Sequence, residues 1–299
     1  MNSSNYTQLN IAQLLRSKLS AYAQLSKIRL SLLVVFSSVM AYLFAASGTI
    51  HLMSLAILSL GGMLITVSSI SINQILEKDT DKLMNRTMNR PLPTGELSVI
   101  EATIFAGISG VVGVALLSFY FNPLTGLLSA LSLLIYAFIY TPFKKISPAA
   151  VFIGAFPGAL PLLIGTTAYA GEITLAGVIL FTVQLLWQMP HFWAIAWVSD
   201  EDYRRGGFRL MPSGKGKSRD AALQILPYNI LLIIVSCIPF FTGLAGITSL
   251  IVALICGLLF LYTAVQLCID LKDKSALRLM FASFFYIPIV QIAFVLDKL

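Results

Sequence analysis

The sequence predicts an all-α, polytopic membrane protein of nine transmembrane helices, with its N-terminus inside and its C-terminus outside. Three observations predict it. Of 299 residues, 58% are hydrophobic and 11% are charged, against about 25% charged in an ordinary soluble domain. Six long stretches carry no Asp, Glu, Lys or Arg. The basic residues fall into alternate gaps between the spans that those stretches define. Such a composition excludes a disordered chain, a disulfide-stapled secreted scaffold and a soluble globule.

The charge-free stretches are 30–76, 102–143, 146–171, 173–199, 221–269 and 279–296. One span needs about 20 apolar residues. Stretches 146–171, 173–199 and 279–296 hold one helix each, and the other three hold two. Each long stretch breaks near its middle, at Ser47-Gly48, at Asn122-Pro123 and at Gly243-Leu244-Ala245-Gly246, all turn-forming residues. The spans fall near 28–46, 52–76, 99–119, 124–142, 148–168, 174–198, 222–242, 247–269 and 279–297. Of the 20 basic residues, all but Lys298 lie before or in the first turn of span 1 or in the loops after spans 2, 4, 6 and 8. Positive charge marks the cytoplasmic face, which fixes the orientation. The net charge of +7 is therefore topological, and nucleic acid is not a partner. Residues 1–26 read as a polar cytoplasmic arm with no signal-peptide pattern. Cys237, Cys256 and Cys268 sit in apolar stretches without ligand spacing and read as small hydrophobes.

All 13 acidic residues except Glu172 and Asp297 lie on the cytoplasmic side, most of them in two clusters. The first is Asn73-Gln74-Ile75-Leu76-Glu77-Lys78-Asp79-Thr80-Asp81, at the inner end of span 2. Asn73, Glu77 and Asp81 stand at i, i+4 and i+8, so a continuing helix puts them on one face. Three oxygen ligands on one stripe suit Mg²⁺, which takes a few carboxylates plus substrate phosphates. Arg86 and Arg90 follow at once, and the guanidinium fork matches phosphate oxygens. The second cluster, Asp200-Glu201-Asp202-Tyr203-Arg204-Arg205, ends span 6. Two such clusters facing each other would grip a metal-bound diphosphate from both flanks. Each alone reads equally as a solvated, salt-bridged loop.

Gln188-Met189-Pro190-His191-Phe192-Trp193 interrupts span 6 inside the apolar layer. His191 lies about seven residues, ~10 Å, from the helix end. Ionisable groups at that depth are candidates for function, and with Trp187 one turn earlier His191 is a candidate substrate or haem contact. A packing histidine bonded to a neighbouring helix is the competing reading. Span 5 carries Gly154, Pro157, Gly158 and Pro161. Small residues let helices approach closely, and prolines are tolerated where a cavity is lined. Lys144 and Lys145 just before it either add charge to a diphosphate site or anchor topology. Gly214-Lys215-Gly216-Lys217 lacks Walker spacing and is no phosphate loop.

These residues carry a likeness. The Asn73, Glu77, Asp81 stripe resembles the first aspartate-rich motif of the UbiA-type intramembrane prenyltransferases. Asn89-Arg90-Pro91-Leu92-Pro93, Tyr140-Thr141-Pro142-Phe143-Lys144-Lys145, the 153–161 run, Trp187 to Trp193, and Asp202-Tyr203 with Gly206-Gly207 are similar to the protohaem IX farnesyltransferase (haem O synthase) branch. The likeness spans about residues 25–295. Gln74 stands where the superfamily has Asp, Glu77 where Asp is commoner, and Gly206 leaves the second motif without a clean Asp-x-x-x-Asp.

The resemblance implies a UbiA-like bundle around a cavity near the cytoplasmic face, with residues 27–299 a single prenyltransferase domain in the cell membrane. It implies transfer of a farnesyl group from farnesyl diphosphate to a vinyl group of haem B, giving haem O, with Mg²⁺ as cofactor. The implied metal ligands are Asn73, Glu77, Asp81 and Asp202, with Asp79, Asp200 and Glu201 as further candidates. Arg86, Arg90, Lys144, Lys145 and Arg204 would hold the diphosphate. His191 and Trp187 would meet haem, and His191 joins Asn73, Glu77 and Asp81 as a catalytic candidate. A haem A-forming enzyme or a terminal oxidase would receive the product. Competing readings are a prenyltransferase for a quinone-type aromatic acceptor and a transporter of an anionic amphiphile. Acid clusters on one face only, with no charged residue at mid-depth, fit transport poorly.

Overall fold

A computed structural model describes residues 11–212 and 216–299. Of the Gly214–Lys217 stretch, Gly214 and Lys215 lie outside the described residues, as do residues 1–10 of the N-terminal arm. Among the described residues, nine helices are long and apolar enough to cross a membrane. A shorter helix, α1 (Ile11–Leu25), precedes them. The nine are α2 (Ile28–Ala45), α3 (Leu52–Leu76), α4 (Val99–Tyr120), α5 (Pro123–Phe143), α6 (Ala150–Ala170), α7 (Leu175–Val198), α8 (Arg219–Phe241), α9 (Ile247–Asp270) and α10 (Asp273–Leu296).

The turn residues act as their chemistry dictates. Asn122 Oδ1 accepts the Thr125 N–H at 2.9 Å, and Pro123 opens α5, where its missing N–H is no loss. Ser98 and Glu101 form a reciprocal capping box at the start of α4. Helix α10 begins at Asp273, six residues before the expected start at 279. The charges of Asp273, Lys274 and Arg278 count against a span, yet an acidic residue suits a helix N-terminus.

Each helix packs on its chain neighbours, and α10 closes the ring against α2. Helix α6 also packs on α2, and α7 on α10. Helix α6 is the most enclosed, with 78% of its apolar window buried, against 28–44% for seven of the others. Its small residues make that possible. A Cβ on Gly165 would strike the Ser38 carbonyl of α2, and one on Gly158 would strike the Gln188 amide of α7. Pro161 cannot donate to the Pro157 carbonyl, and Ser132 Oγ of α5 supplies that bond instead, at 3.1 Å.

Two ties complete the bundle. Lys18 of α1 pairs with Glu101 at 2.7 Å, and Tyr22 packs on Phe105, fixing α1 against α4. At the opposite end, Lys298 Nζ donates to the carbonyls of Leu43 (2.6 Å) and Ala46, the last turn of α2. The one basic residue outside the alternation pattern is thus a helix C-cap.

Candidate active site

The stripe predicted at the end of α3 forms, although the helix falters at Glu77, whose φ and ψ are −99° and 4°. The ladder survives: Glu77 N–H donates to the Asn73 carbonyl at 3.0 Å, and Asp81 N–H to the Glu77 carbonyl at 2.7 Å. Asn73, Glu77 and Asp81 stay on one face, all buried. They line a cavity of about 130 Å³ with Lys27, Arg86, Arg90, Tyr136, Tyr140, Lys144, Tyr203 and Phe208 among its other walls.

Local sequence places each charge. Asp81 accepts from Arg90 Nη1 at 2.7 Å, and the Asp81 carbonyl accepts from Thr87 Oγ1 at 2.9 Å. Pro91, at the start of the Pro91–Thr94 turn, holds Arg90 in extended backbone before it. Lys144 arrives by a different device. Residues Ile135–Tyr140 form a π-helical turn inside α5, a rare insertion that often marks functional sites. Tyr136 and Tyr140 both face the cavity from that turn. Lys144 Nζ lies 2.5 Å from Glu77 Oε1 and over the rings of Tyr140 and Phe208. Asn73 Nδ2 donates to Thr141 Oγ1 at 3.0 Å, which turns its other amide atom, the oxygen, away from Thr141.

The donor set suits a hard cation. Among the described residues no three His, Cys, Asp or Glu side chains converge as a metal site. What converges is two carboxylates and one amide, the count Mg²⁺ uses when substrate phosphates complete its shell. Asp81 Oδ1 is buried with no hydrogen-bond donor, whereas Glu77 Oε1 is met by the Lys144 ammonium. Such an orphaned oxygen is costly unless a cation meets it.

The second cluster is arranged differently. Asp202 accepts the main-chain N–H groups of Asn85 (2.8 Å) and Arg86 (3.1 Å). It tethers the loop after the first cluster, and it is not among the residues lining the cavity. Arg86 lies over the Tyr203 ring, 5.5 Å from its centre. Asp79 pairs with Lys82, Asp200 with Arg204 and Glu201 with Arg205, each pair one turn apart along its own short helical segment. Asp200 and Arg204 line a separate cavity with Arg209 and Met211, which shares the Phe208 and Leu210 wall with the first. Lys145 is exposed, next to the buried Lys144.

His191 is buried in α7 and stacks on Trp187, with ring centres 4.6 Å apart and planes 15° apart. Neither lines the cavity around Asn73. Ser283 of α10 anchors both: its carbonyl accepts from Trp187 Nε1 at 2.8 Å, and its hydroxyl lies 2.7 Å from His191 Nδ1. That hydroxyl also donates its one hydrogen to the Met280 carbonyl at 2.5 Å. It can therefore only accept from His191, which puts the proton on Nδ1 and leaves the lone pair of the neutral ring on Nε2. The packing reading holds for one ring nitrogen, and the other keeps the atom a metal or proton would use.

The residue order assigns no site role to Lys27, Tyr136, Tyr140, Tyr203 or Phe208. Aromatic residues at the span ends next to the acidic clusters are the available signal. Nothing in the residue order announces a π turn.

Known proteins resemble this chain over most of its length. The model of the UbiA prenyltransferase family matches residues 34–287. A protohaem IX farnesyltransferase of Cytophaga hutchinsonii is 47% identical over 283 residues, covering 95% of this chain and 99% of that one. One from Christiangramia forsetii is 43% identical over 286 residues, covering 94% of each. A solved structure of digeranylgeranylglyceryl phosphate synthase superposes with a TM-score of 0.79 at 23% identity, covering 94% and 98%. A UbiA homolog from Archaeoglobus fulgidus bound to DMAPP and Mg²⁺ superposes at 0.67 and 17%, covering 92% and 98%.

Proposed function

Because the chain belongs to the UbiA prenyltransferase family and, inside it, to the protohaem IX farnesyltransferases, we infer that it joins the farnesyl group of farnesyl diphosphate to a vinyl group of haem B. Water adds across the same vinyl group, diphosphate leaves, and the product is haem O. The observation that carries the donor half is the buried cavity where Asn73, Glu77 and Asp81 meet Arg86, Arg90 and Lys144. The acceptor half is supported by the 47% identity that runs through nearly the whole chain.

The chain's own residues divide the work. Asn73, Glu77 and Asp81 would hold Mg²⁺, which supplies neutralisation of the charge that builds on the leaving diphosphate. Arg90 and Lys144, each now on a carboxylate, swing part of their charge to phosphate oxygens, and Arg86 adds its fork from the tethered loop. Asp202 acts through that loop, by fixing where Arg86 stands. Tyr136, Tyr140, Tyr203 and Phe208 wall the cavity and keep water from the allylic carbon as its C–O bond lengthens. His191, with Trp187 beneath it, meets the porphyrin. Asp79, Asp200, Glu201, Arg204 and Lys145 serve the rim.

The bundle lies in the cell membrane with the N-terminus and the cavity mouth cytoplasmic, as the basic loops favour. Residues 27–299 form one domain, with 1–26 its arm. The product passes to a haem A-forming enzyme or a terminal oxidase. The test is incubation of the purified protein with haem B and farnesyl diphosphate, with and without Mg²⁺, and mass analysis of the extracted haem. A farnesylated, hydrated haem that requires Mg²⁺ is expected. Diphosphate release without any change in haem mass would overturn the acceptor.

A further inference from the structure

We propose that Lys27 is a further diphosphate-binding residue, held over the cavity by a strained elbow between α1 and α2. The inference rests on the prenyl-transfer reading. Lys27 precedes the first residue of α2, and its backbone is left-handed, with φ 42° and ψ 54°. Among the described residues only one other non-glycine, Leu271, has positive φ. L-residues avoid this region because Cβ crowds the backbone. Glycine would sit there at ease, so a lysine in that conformation points to a use for its side chain.

The surroundings hold the elbow. Gln74 Nε2, on the same turn as the metal stripe but facing away from the cavity, donates to the Leu25 carbonyl at 2.7 Å. Ser31 Oγ donates to the Ser26 carbonyl at 2.9 Å, and Ser26 Oγ to the Tyr22 carbonyl at 2.7 Å. Leu25 is fully buried beside them. The residue that departs from the aspartate pattern therefore has a structural role, since it fixes the stretch of backbone that carries Lys27.

The charge pattern supplies the ligand class. Four cations, Lys27, Arg86, Arg90 and Lys144, line the cavity with two carboxylates, Glu77 and Asp81. Both carboxylates are already paired, with Lys144 and Arg90. Lys27 enters no ion pair with any described residue. Burial, then repulsion from Arg90, Arg86 and Lys144, pulls its pKa down to about 7. A dense anion placed among these groups removes that repulsion. Two anions are available to such an enzyme, the donor diphosphate and the propionates of haem, and the cavity's cation-binding face favours the diphosphate.

Lys27→Gly separates folding from binding, because it relieves the backbone while deleting the ammonium. Its thermal unfolding midpoint should match or exceed that of the unaltered protein. Its Kd for inorganic diphosphate with Mg²⁺, and its KM for farnesyl diphosphate, should rise about ten-fold or more, the usual cost of one charge-assisted bond. Its KM for haem should stay within about two-fold on the same reasoning. Lys27→Arg should recover most of the diphosphate affinity. Unchanged diphosphate binding in Lys27→Gly, or a rise in the haem KM instead, overturns the assignment. If the unaltered protein itself binds no Mg²⁺-diphosphate, the prenyl-transfer reading fails, and that outcome is read before any variant is made.

Discussion

Asp202 Oδ2 accepts the main-chain N–H of Arg86 at 3.1 Å, while its Oδ1 takes that of Asn85 at 2.8 Å. The two acidic clusters are therefore coupled through the backbone of the loop that follows the first. Asp202→Ala should release the loop and raise the KM for farnesyl diphosphate about ten-fold, since bonds to a charged acceptor are worth ~1.5–3 kcal/mol when shielded and less at this partly open site. A Mg²⁺ titration decides the mechanism. Restoration of full activity at high Mg²⁺ would make Asp202 a metal ligand after all.

Asp81 is fully buried and bonded to Arg90, whose side chain is 15% exposed. Asp81→Ala removes a proposed cation ligand and strands the guanidinium. Turnover should fall by about 10²–10³ or more, the scale on which one electrostatic contact to developing charge is lost. Product haem in membranes carrying the variant measures it, and a yield equal to that of the unaltered protein sinks the ligand assignment.

His191 carries its lone pair on Nε2 because Ser283 fixes the other nitrogen. His191→Ala should weaken haem use and leave Mg²⁺-diphosphate affinity unchanged. Ser283→Ala, which frees the tautomer, should give a smaller loss of the same kind. Haem titration by absorbance reads both, and an unaltered haem affinity in His191→Ala would rule out contact.

Gly165 faces the Ser38 carbonyl at a separation no side chain fits. Gly165→Ala must push α2 from α6 and should lower stability by about 1–3 kcal/mol, as overpacking does. Thermal unfolding in detergent measures this. Activity per folded molecule should change little.

Lys27 gives the pH dependence. Its ordinary pKa of 10.5 is lowered to about 7 in the empty cavity. A bound anion favours the ammonium and raises the value again, so diphosphate binding takes up a proton in the window above about pH 7. Calorimetry at about pH 8, in buffers of different ionisation enthalpy, should show this uptake. Lys27→Arg, charged at every pH used, should lack it.

Much of this was legible in the residue order, for physical reasons. A bilayer demands about 20 uncharged residues per span, so nine helices could be counted from the lengths of six charge-free stretches and the turn residues that split three of them. The Asn73, Glu77, Asp81 stripe was legible because spacing by four is a property of any helix. Arg90 and Lys144 were legible by type. The π turn at 135–140 was not, since an apolar run looks the same whether its carbonyls pair with the fourth or the fifth residue. Asp202 could be placed near the site but not on its partners, because a bond to main-chain N–H leaves no mark on the partner's side chain. The left-handed backbone at Lys27 was hidden for a similar reason: it is imposed by Gln74, Ser26 and Ser31 together.

The clasp between Lys298 and the carbonyls of Leu43 and Ala46 joins the segment after α10 to the first long helix. During synthesis those carbonyls are made some 250 residues before their ammonium partner. Once made, the amine is open to acylating reagents until the clasp forms, and afterwards two carbonyls and partial burial shield it. Its reactivity therefore serves as a clock for biogenesis, marking the moment when the ring has no gap left.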